Sequence, residues 1–522
     1  VPSRYYDAIV LGRSVGALTV AALLSRRDFR VLVLGQGQKP PIYRFEGNAL
    51  CRRSFTLLGA STPAFRRVLQ ELAYSPQFRR RTQHLDPMFS VIAAGGRVDV
   101  APDMELFSRE VDREYPEVRQ LVDELYATIA NINATADQAF DRDSVWPPGT
   151  LWEHLETGRV AYSLPFLRAE RGQDLLGKFP RGHAFRDLVC VPALFGSNLA
   201  LSSEQLPPFI LGRLHGAWTR GIVSLPQGED ELSELLCERI EAHGGVCRLE
   251  DRARSLIVRH RRVAGVLEEG QEEPTGSAVV ISDQFGEALA ELSGGEGLTK
   301  HARRDWPRLN AEAGRFVVSL VLKKKALPAP LGHIAFLLPR ASGRRDPRRP
   351  VVRLERLEPK LFANARPPAE DEALLVAETI LPTRGALTLL EAREAVLSTL
   401  REAFPFIDAH LQYVDSVHDG LPLYDYRSGT RRDVERVHLE GASPGPEPME
   451  RLWSVSPLGY MELGGEPVRG PIPGTFLVGK TVLPALGQEG ELMAAWSVAR
   501  IVTRGDRARQ RMRRQLWSKM ET

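Results

Sequence analysis

The stretch Tyr6-Asp7-Ala8-Ile9-Val10-Leu11-Gly12-Arg13-Ser14-Val15-Gly16-Ala17 decides the fold. Tyr6 to Leu11 is a short apolar run stopped by glycine, which suits a strand buried on both faces of a parallel sheet. Gly12 to Gly16 makes a tight turn, and Val15 to Leu24 is an Ala- and Leu-rich helix. Arg30-Val31-Leu32-Val33-Leu34 is a second apolar strand. Together they form one βαβ unit, whose crossover is right-handed. The expected class is α/β, a Rossmann-type FAD/NAD(P)-binding fold.

A dinucleotide turn makes specific demands. Its first glycine permits the turn, its second lets the backbone approach the pyrophosphate, and its third allows close helix–strand packing. The helix N-terminus then faces the phosphates. Here Gly12 is the first, Ser14 stands at the second place, and Ala17 at the third, which the motif tolerates. An acidic residue ending the second strand would take the ribose hydroxyls, but Gly35 stands there and Asp28 precedes the strand. Losing that charge-assisted hydrogen bond costs about 1.5–3 kcal/mol. Arg13 adds a cation that could meet the pyrophosphate instead. Gly12-Arg13-Ser14-Val15-Gly16 also spells the nucleophile elbow of α/β-hydrolases. No upstream strand is left to supply an oxyanion loop, and no Asp-then-His pair is marked downstream, so a degenerate dinucleotide turn is the better reading.

Outward from this unit, residues 35–100 read as loop-rich and basic, and 105–220 as mostly helical, with Leu106, Val111, Val118, Leu121, Val122 and Leu125 at helical spacing. Residues 186–212 are apolar with Pro breaks, which suggests buried helices around a cavity. Leu225-Pro226-Gln227-Gly228 leads into an amphipathic helix from about Asp230 to His243, ended by Gly244-Gly245. Strands follow at Val246–Leu249, Ser255–Arg259, Val263–Leu267 and Val279–Ser282. Phe316–Leu322 and Leu374–Ile380 are further strands, with a helix over Leu390–Phe404. Near the end, Gly474 to Gly479 is a strand entering a glycine loop. Gly487-Gln488-Glu489-Gly490 then opens an apolar helix, Leu492 to Val502. A basic tail closes the chain, with Met512, Leu516, Trp517 and Met520 forming an apolar stripe.

The order of these elements resembles the phytoene desaturase branch of the FAD-dependent amine oxidase superfamily, from about residue 5 to residue 503. Three places carry it: Asp7 to Gly12 with Gly16 and Ala17; Leu225 to Gly228 with its helix and hairpin; and Phe476-Leu477-Val478-Gly479 with Pro484, Gly487 and Gly490. The resemblance implies a discontinuous FAD domain (1–100, 221–285 and 450–503). It also implies an inserted α+β substrate domain (101–220 and 286–449), followed by the tail, 504–522. It places FAD along Gly12, Arg13, Ser14, Gly16 and Ala17, and along Gly479, Lys480, Pro484, Gly487 and Gly490. Three departures stand out. The glycine doublet expected after the ribose acid is absent, Lys480 replaces a small or acidic residue, and Ala485 replaces a glycine.

The bulk composition narrows the function. The 522 residues exceed one small core, and a net charge of +3 with mixed signs gives no nucleic-acid footprint. Cys51, Cys190, Cys237 and Cys247 form no CxxC pair, so isolated thiols are expected rather than disulfides or zinc. No apolar run reaches a membrane-span length, and Asp7 and Gly12 break any signal-peptide pattern. The expectation is a cytoplasmic protein from a GC-rich bacterium, with peripheral membrane contact or a protein partner open through the tail. His183, His215 and His418 read as core or surface residues, Lys323-Lys324-Lys325 as a strand end, and Arg344 to Pro350 as a solvated loop.

Two functions fit these residues. One is an FAD-dependent oxidoreductase taking hydride from an apolar, isoprenoid-like substrate, with the flavin carrying the chemistry. Its one acid/base candidate is Glu489, in the C-terminal loop. The other is a non-catalytic pseudoenzyme of the same fold, serving as a binding or structural subunit of a protein assembly.

Overall fold

The computed structural model describes residues 4–93, 96–167, 174–203, 206–225, 227–328, 331–339, 348–357 and 371–506. Pro226, most of the Arg344–Pro350 loop and the tail beyond Asp506 lie outside these.

The first unit folds as its residues dictate. Strand β1 is Ala8–Leu11, helix α1 is Val15–Arg26 and strand β2 is Val31–Leu34. Further along the chain come helix α2 (Glu229–Ala242), strand β3 (Val246–Arg248), strand β4 (Val280–Ser282), strand β5 (Thr475–Leu477) and helix α3 (Gly487–Gly505). The five strands form one parallel sheet in the order β3-β2-β1-β4-β5. Ile9 pairs with Leu32 on one side and Val280 on the other. Helix α1 packs against both α2 and α3. Gly16 also lets α1 lie close to the end of β5, where a Cβ would fall 2.3 Å from the Val478 carbonyl oxygen. The sheet is therefore built from three distant stretches of chain.

The inserted part contains helices Met104–Glu114, Arg119–Phe140, Leu151–Ala161, Ala184–Gly196 and Pro208–Thr219. It also contains a ten-stranded sheet whose long central strand, Arg308–Lys323, pairs antiparallel with Glu372–Pro382, Leu411–Asp415 and Glu450–Ser456. Residues 35–100 are more ordered than their composition suggests. They hold a hairpin (Ile42–Phe45 with Asn48–Cys51), two helices (Pro63–Glu71 and Ser75–Arg81) and strands Phe89–Ala93 and Gly96–Val100. The last two join the large sheet, where Ser90 to Ile92 run parallel to Ala335 to Leu337. The sequence division at residue 100 thus separates strands from the sheet they complete. Likewise Glu450–Ser456 pairs with Arg308–Arg315 and not with the parallel sheet.

Two of the four thiols are not isolated. Cys237 on α2 and Cys247 on β3 sit against each other, and that contact pulls the Cys237 thiol down against its burial. Cys51 and Cys190 are buried. Among the described residues no helix is long and apolar enough to cross a membrane, and no three His, Cys, Asp or Glu side chains converge as metal ligands.

Candidate cofactor crevice

In an open parallel sheet, ligands bind in the crevice outside the carboxyl ends of the strands. Here β1 leads to Gly12, β2 to Gly35, β4 to Asp283 and β5, one residue further on, to Gly479. Gly12 adopts φ +125°, which only glycine takes easily, and Ser14 caps α1 by accepting from the Ala17 N–H at 3.2 Å.

The anion-binding end of α1 is already taken. The Ser14 N–H donates to Asp283 Oδ2 at 2.9 Å, and Gln38 Nε2 donates to Oδ1 at 2.8 Å. The Arg13 N–H reaches Gln38 Oε1 at 3.3 Å. A Cβ on Gly12 would fall 2.1 Å from the Asp283 carboxylate. The chain has thus placed its own carboxylate on the Ser14 amide, at the helix end a pyrophosphate would use. Burial pushes the Asp283 carboxyl up, while the Ser14 and Gln38 donors hold it down.

The ribose position is filled by backbone. The Gly35 N–H donates to the Arg248 carbonyl at 3.2 Å, and a Cβ on Gly35 would lie 1.8 Å from the Leu249 carbonyl oxygen. No acidic side chain fits there. Glycine at 35 is what lets the segment after β3 close over the end of β2.

The rest of the crevice is a chain of ion pairs. Arg13 is buried with its guanidinium 3.7 Å from Asp230, at the start of α2. Arg53 pairs with Glu229, its Nη2 donating at 3.1 Å. Lys480 Nζ lies 2.7 Å from Glu450, which also takes Arg315 Nε at 3.3 Å. Arg315 pairs with Glu378 at 2.6 Å, and Arg353 bridges Glu378 and Glu355 at 3.5 and 3.1 Å. Burial draws Glu450 upward, but Lys480 and Arg315 outweigh it and hold the carboxyl down at about 2. Burial drives Glu355 up to about 7 against Arg353, and Asp230 up to about 6 against Arg13. Glu491, on α3, also rises to about 7, because burial and the neighbouring Glu450, Asp283 and Glu229 prevail over Lys480.

The site residues read from the sequence divide into two groups. Gly12, Arg13, Ser14, Gly16, Ala17, Gly479 and Lys480 do converge on this crevice. Pro484, Gly487 and Gly490 serve packing. The Pro484 carbonyl accepts from the Asn198 N–H at 2.9 Å, and a Cβ on Gly487 or Gly490 would strike the Gly196 or Leu483 carbonyl, at 2.0 and 2.2 Å. Glu489 is not in an exposed loop. The helix starts at Gly487, so Glu489 occupies its first turn and is 5% exposed. Both its oxygens are held by Arg213, with Nε donating to Oε2 at 2.7 Å. Arg213 in turn meets Asp137 at 2.7 Å and Asn133 Oδ1 at 3.0 Å. A buried carboxylate clamped at both oxygens by a guanidinium is held as a structural ion pair rather than offered as an acid/base group. His183, His215 and His418 have structural partners: Glu117, Tyr126 with the Val189 carbonyl, and the Glu447 carbonyl.

Sequence reasoning missed Asp283, Gln38, Arg53, Glu229, Glu450 and Glu491. Asp283 directly follows a buried strand, but only the neighbouring position of β4 and β1 brings it to Ser14. The residues present therefore do not fit FAD: one required surface carries a carboxylate and the other a backbone carbonyl.

No family model and no curated protein matches the chain. Solved structures do. An oxidoreductase from Methanosarcina mazei is similar over 94% of this chain and 99% of its own, at 14% identity and a TM-score of 0.58. A putrescine oxidase with redesigned cofactor binding is similar over 96% and 99%, at 13% identity and a TM-score of 0.52. The chain shares the fold of these two proteins. It is α/β, Rossmann-type, with an inserted substrate-binding domain. At these identities the likeness speaks for the fold, and the chemistry must be argued from the crevice.

Proposed function

We propose that this chain is a non-catalytic relative of the FAD-dependent oxidoreductases, acting as a binding or structural subunit of a protein assembly. The Asp283 carboxylate on the α1 N-terminus carries the proposal. A pyrophosphate brought to the same helix end would meet a like charge in a buried setting, where such repulsion is weakly screened. The Gly35–Leu249 contact adds an independent obstacle at the ribose. The ion pairs from Arg13 to Glu355 use the crevice cations internally.

The other reading is a flavin-dependent enzyme of the phytoene desaturase kind, acting on an apolar isoprenoid-like substrate. One observation favours it: Arg13 and Lys480 line the crevice where a diphosphate would want cations. The test is direct. The purified chain is examined by visible absorbance, then titrated with FAD and followed by flavin fluorescence. No flavin band and no saturable uptake is the expected result. A band near one equivalent, as purified or after addition, would sink the non-catalytic reading.

A further inference from the structure

Cys237 and Cys247 stand on two elements that the chain folds directly back on each other. Helix α2 ends where two glycines take its last carbonyls. The Gly244 N–H donates to the Glu241 carbonyl and the Gly245 N–H to the Ile240 carbonyl, both at 2.9 Å. Gly244 has φ +80°, and a Cβ on Gly245 would lie 2.8 Å from the Ser25 hydroxyl and 3.0 Å from the Ile240 carbonyl oxygen. The turn is therefore as tight as glycine allows, and β3 packs back against α2. There the two thiols meet. Both are half-buried rather than sealed, and β3 is the edge strand of its sheet, so solvent reaches them.

The two thiols are not equivalent. The Cys247 S–H donates to Cys237 Sγ, which lowers the Cys237 thiol in spite of its burial; the same bond, together with burial, raises that of Cys247. Arg13 favours the Cys237 thiolate, while Glu234 and Glu241 oppose it, and Glu241 also opposes ionisation of Cys247. A half-exposed thiol that ionises first, beside a second thiol that keeps its proton, is the arrangement of an attacking and a resolving cysteine. Cys51 and Cys190 are buried, and burial pushes the Cys51 thiol up, so neither shares these properties. Two thiols in contact across a tight turn need side-chain rotation rather than backbone movement to close an S–S bond.

We propose that Cys237 and Cys247 are a redox pair that a peroxide converts to a reversible intramolecular disulfide. The Cys237 thiolate attacks one peroxide oxygen: an S–O bond forms, the O–O bond breaks, and the departing hydroxide is protonated to water. Cys247 gives up its proton and attacks the Cys237 sulfur: the S–S bond forms, the S–O bond breaks, and a second water leaves. The two thiols lose two electrons in all, and the peroxide is reduced to two waters. The bond ties α2 to the strand whose last residue, Arg248, and its neighbour Leu249 place their carbonyls over Gly35. The redox state of the pair thus bears on the segment that closes the ribose end of the crevice. The inference stands whether or not the crevice takes flavin.

Thiol mapping on the full chain tests it. The reduced protein is freed of reductant, treated with hydrogen peroxide, denatured in N-ethylmaleimide and analysed by peptide mass spectrometry. The expected product is a Cys237–Cys247 bond within one chain, lighter by two hydrogen atoms, with Cys51 and Cys190 still taking maleimide. Dithiothreitol should return all four thiols. Before any peroxide, iodoacetamide should label Cys237 at least about tenfold faster than Cys247. A Cys247→Ser variant should hold Cys237 as a sulfenic acid that dimedone captures. Four free thiols after peroxide would overturn the proposal. So would Cys237 driven to sulfinic acid while Cys247 stays free, or a bond that joins two chains or takes in Cys51 or Cys190. Faster labelling of Cys247 would overturn the assignment of Cys237 as the attacking thiol. The mapping uses the unmodified chain, so it decides the matter even if the serine variant fails to fold.

Discussion

The body of the parallel sheet and the crevice at its carboxyl ends obey different rules. In the body, Ile9, Val10, Leu32, Val33, Val280 and Ile281 are wholly excluded from water. Their stabilisation is area removed from water, about 25 cal/mol per Å², and any well-packed apolar residue of similar volume would serve. At the crevice the buried groups are charged, and each is tolerable only while its partner is present. On the proposed reading, the difference explains how the fold can persist without a bound flavin. The sheet body does not depend on what the crevice holds. A carboxylate on the helix and a backbone carbonyl over Gly35 satisfy groups that a nucleotide would otherwise satisfy.

The sharpest way to break this contrast is Arg213→Ala. It strands the buried Glu489, while Asp137 keeps Arg220 at 2.8 Å, and the expected loss is about 3–5 kcal/mol in denaturant unfolding. A loss below about 1 kcal/mol would show that these pairs are not structural. Next is Gly35→Asp, which reinstates the ribose acid of the motif. Its Cβ would collide with the Leu249 carbonyl. Overpacking of this kind costs about 1–3 kcal/mol or more, so the thermal midpoint should fall and no FAD should bind.

The pH dependence is the third. Glu355 and Glu491, at about 7, and Asp230, at about 6, hold protons in the folded chain that the unfolded chain releases near its ordinary carboxylate values. Between about pH 5 and pH 7 the folded state binds more protons, so stability should fall as pH rises, by about 1.4 kcal/mol per unit of pKa difference before relaxation. Glu450 and Glu447, both held at about 2, act oppositely: their contribution is present above the unfolded carboxylate pKa and is lost as pH falls towards 2. The unfolding midpoint should therefore peak near about pH 5. A midpoint flat from pH 5 to pH 8 would mean these carboxylates are already charged or hydrated.

The smallest effect is expected from Asp283→Asn. It removes the negative charge from the α1 N-terminus, and since asparagine accepts from only one of Ser14 N–H and Gln38 Nε2 it also loses one hydrogen bond, at a cost of about 1 kcal/mol. If that variant alone takes up FAD, the carboxylate is the main barrier and Gly35 is secondary.

Much of the architecture was legible. The strands around Ile9, Leu32 and Ile281, and helices α1 and α2, follow from apolar runs and glycine stops. Gly35 was recognised as a departure from the motif, but its cause, the Leu249 carbonyl, was not. Glu489 was misplaced because Gly487 and Gly490 read as loop residues. In the fold they sit in a helix start where only a hydrogen atom clears the Gly196 and Leu483 carbonyls. The strands Phe89–Ala93 and Gly96–Val100 lie in a stretch whose composition reads as loop-rich, because the partners that make them strands are distant in the chain.

The sequence by itself determined the βαβ unit, the parallel sheet and the degenerate state of the dinucleotide motif, because these depend on residues near one another in the chain. Only the tertiary structure decided what took the nucleotide's place. Ser14 and Asp283 are 269 residues apart, and Arg213 and Glu489 are 276 apart. Charges pair through space, and no local periodicity records which carboxylate the fold will bring to which donor.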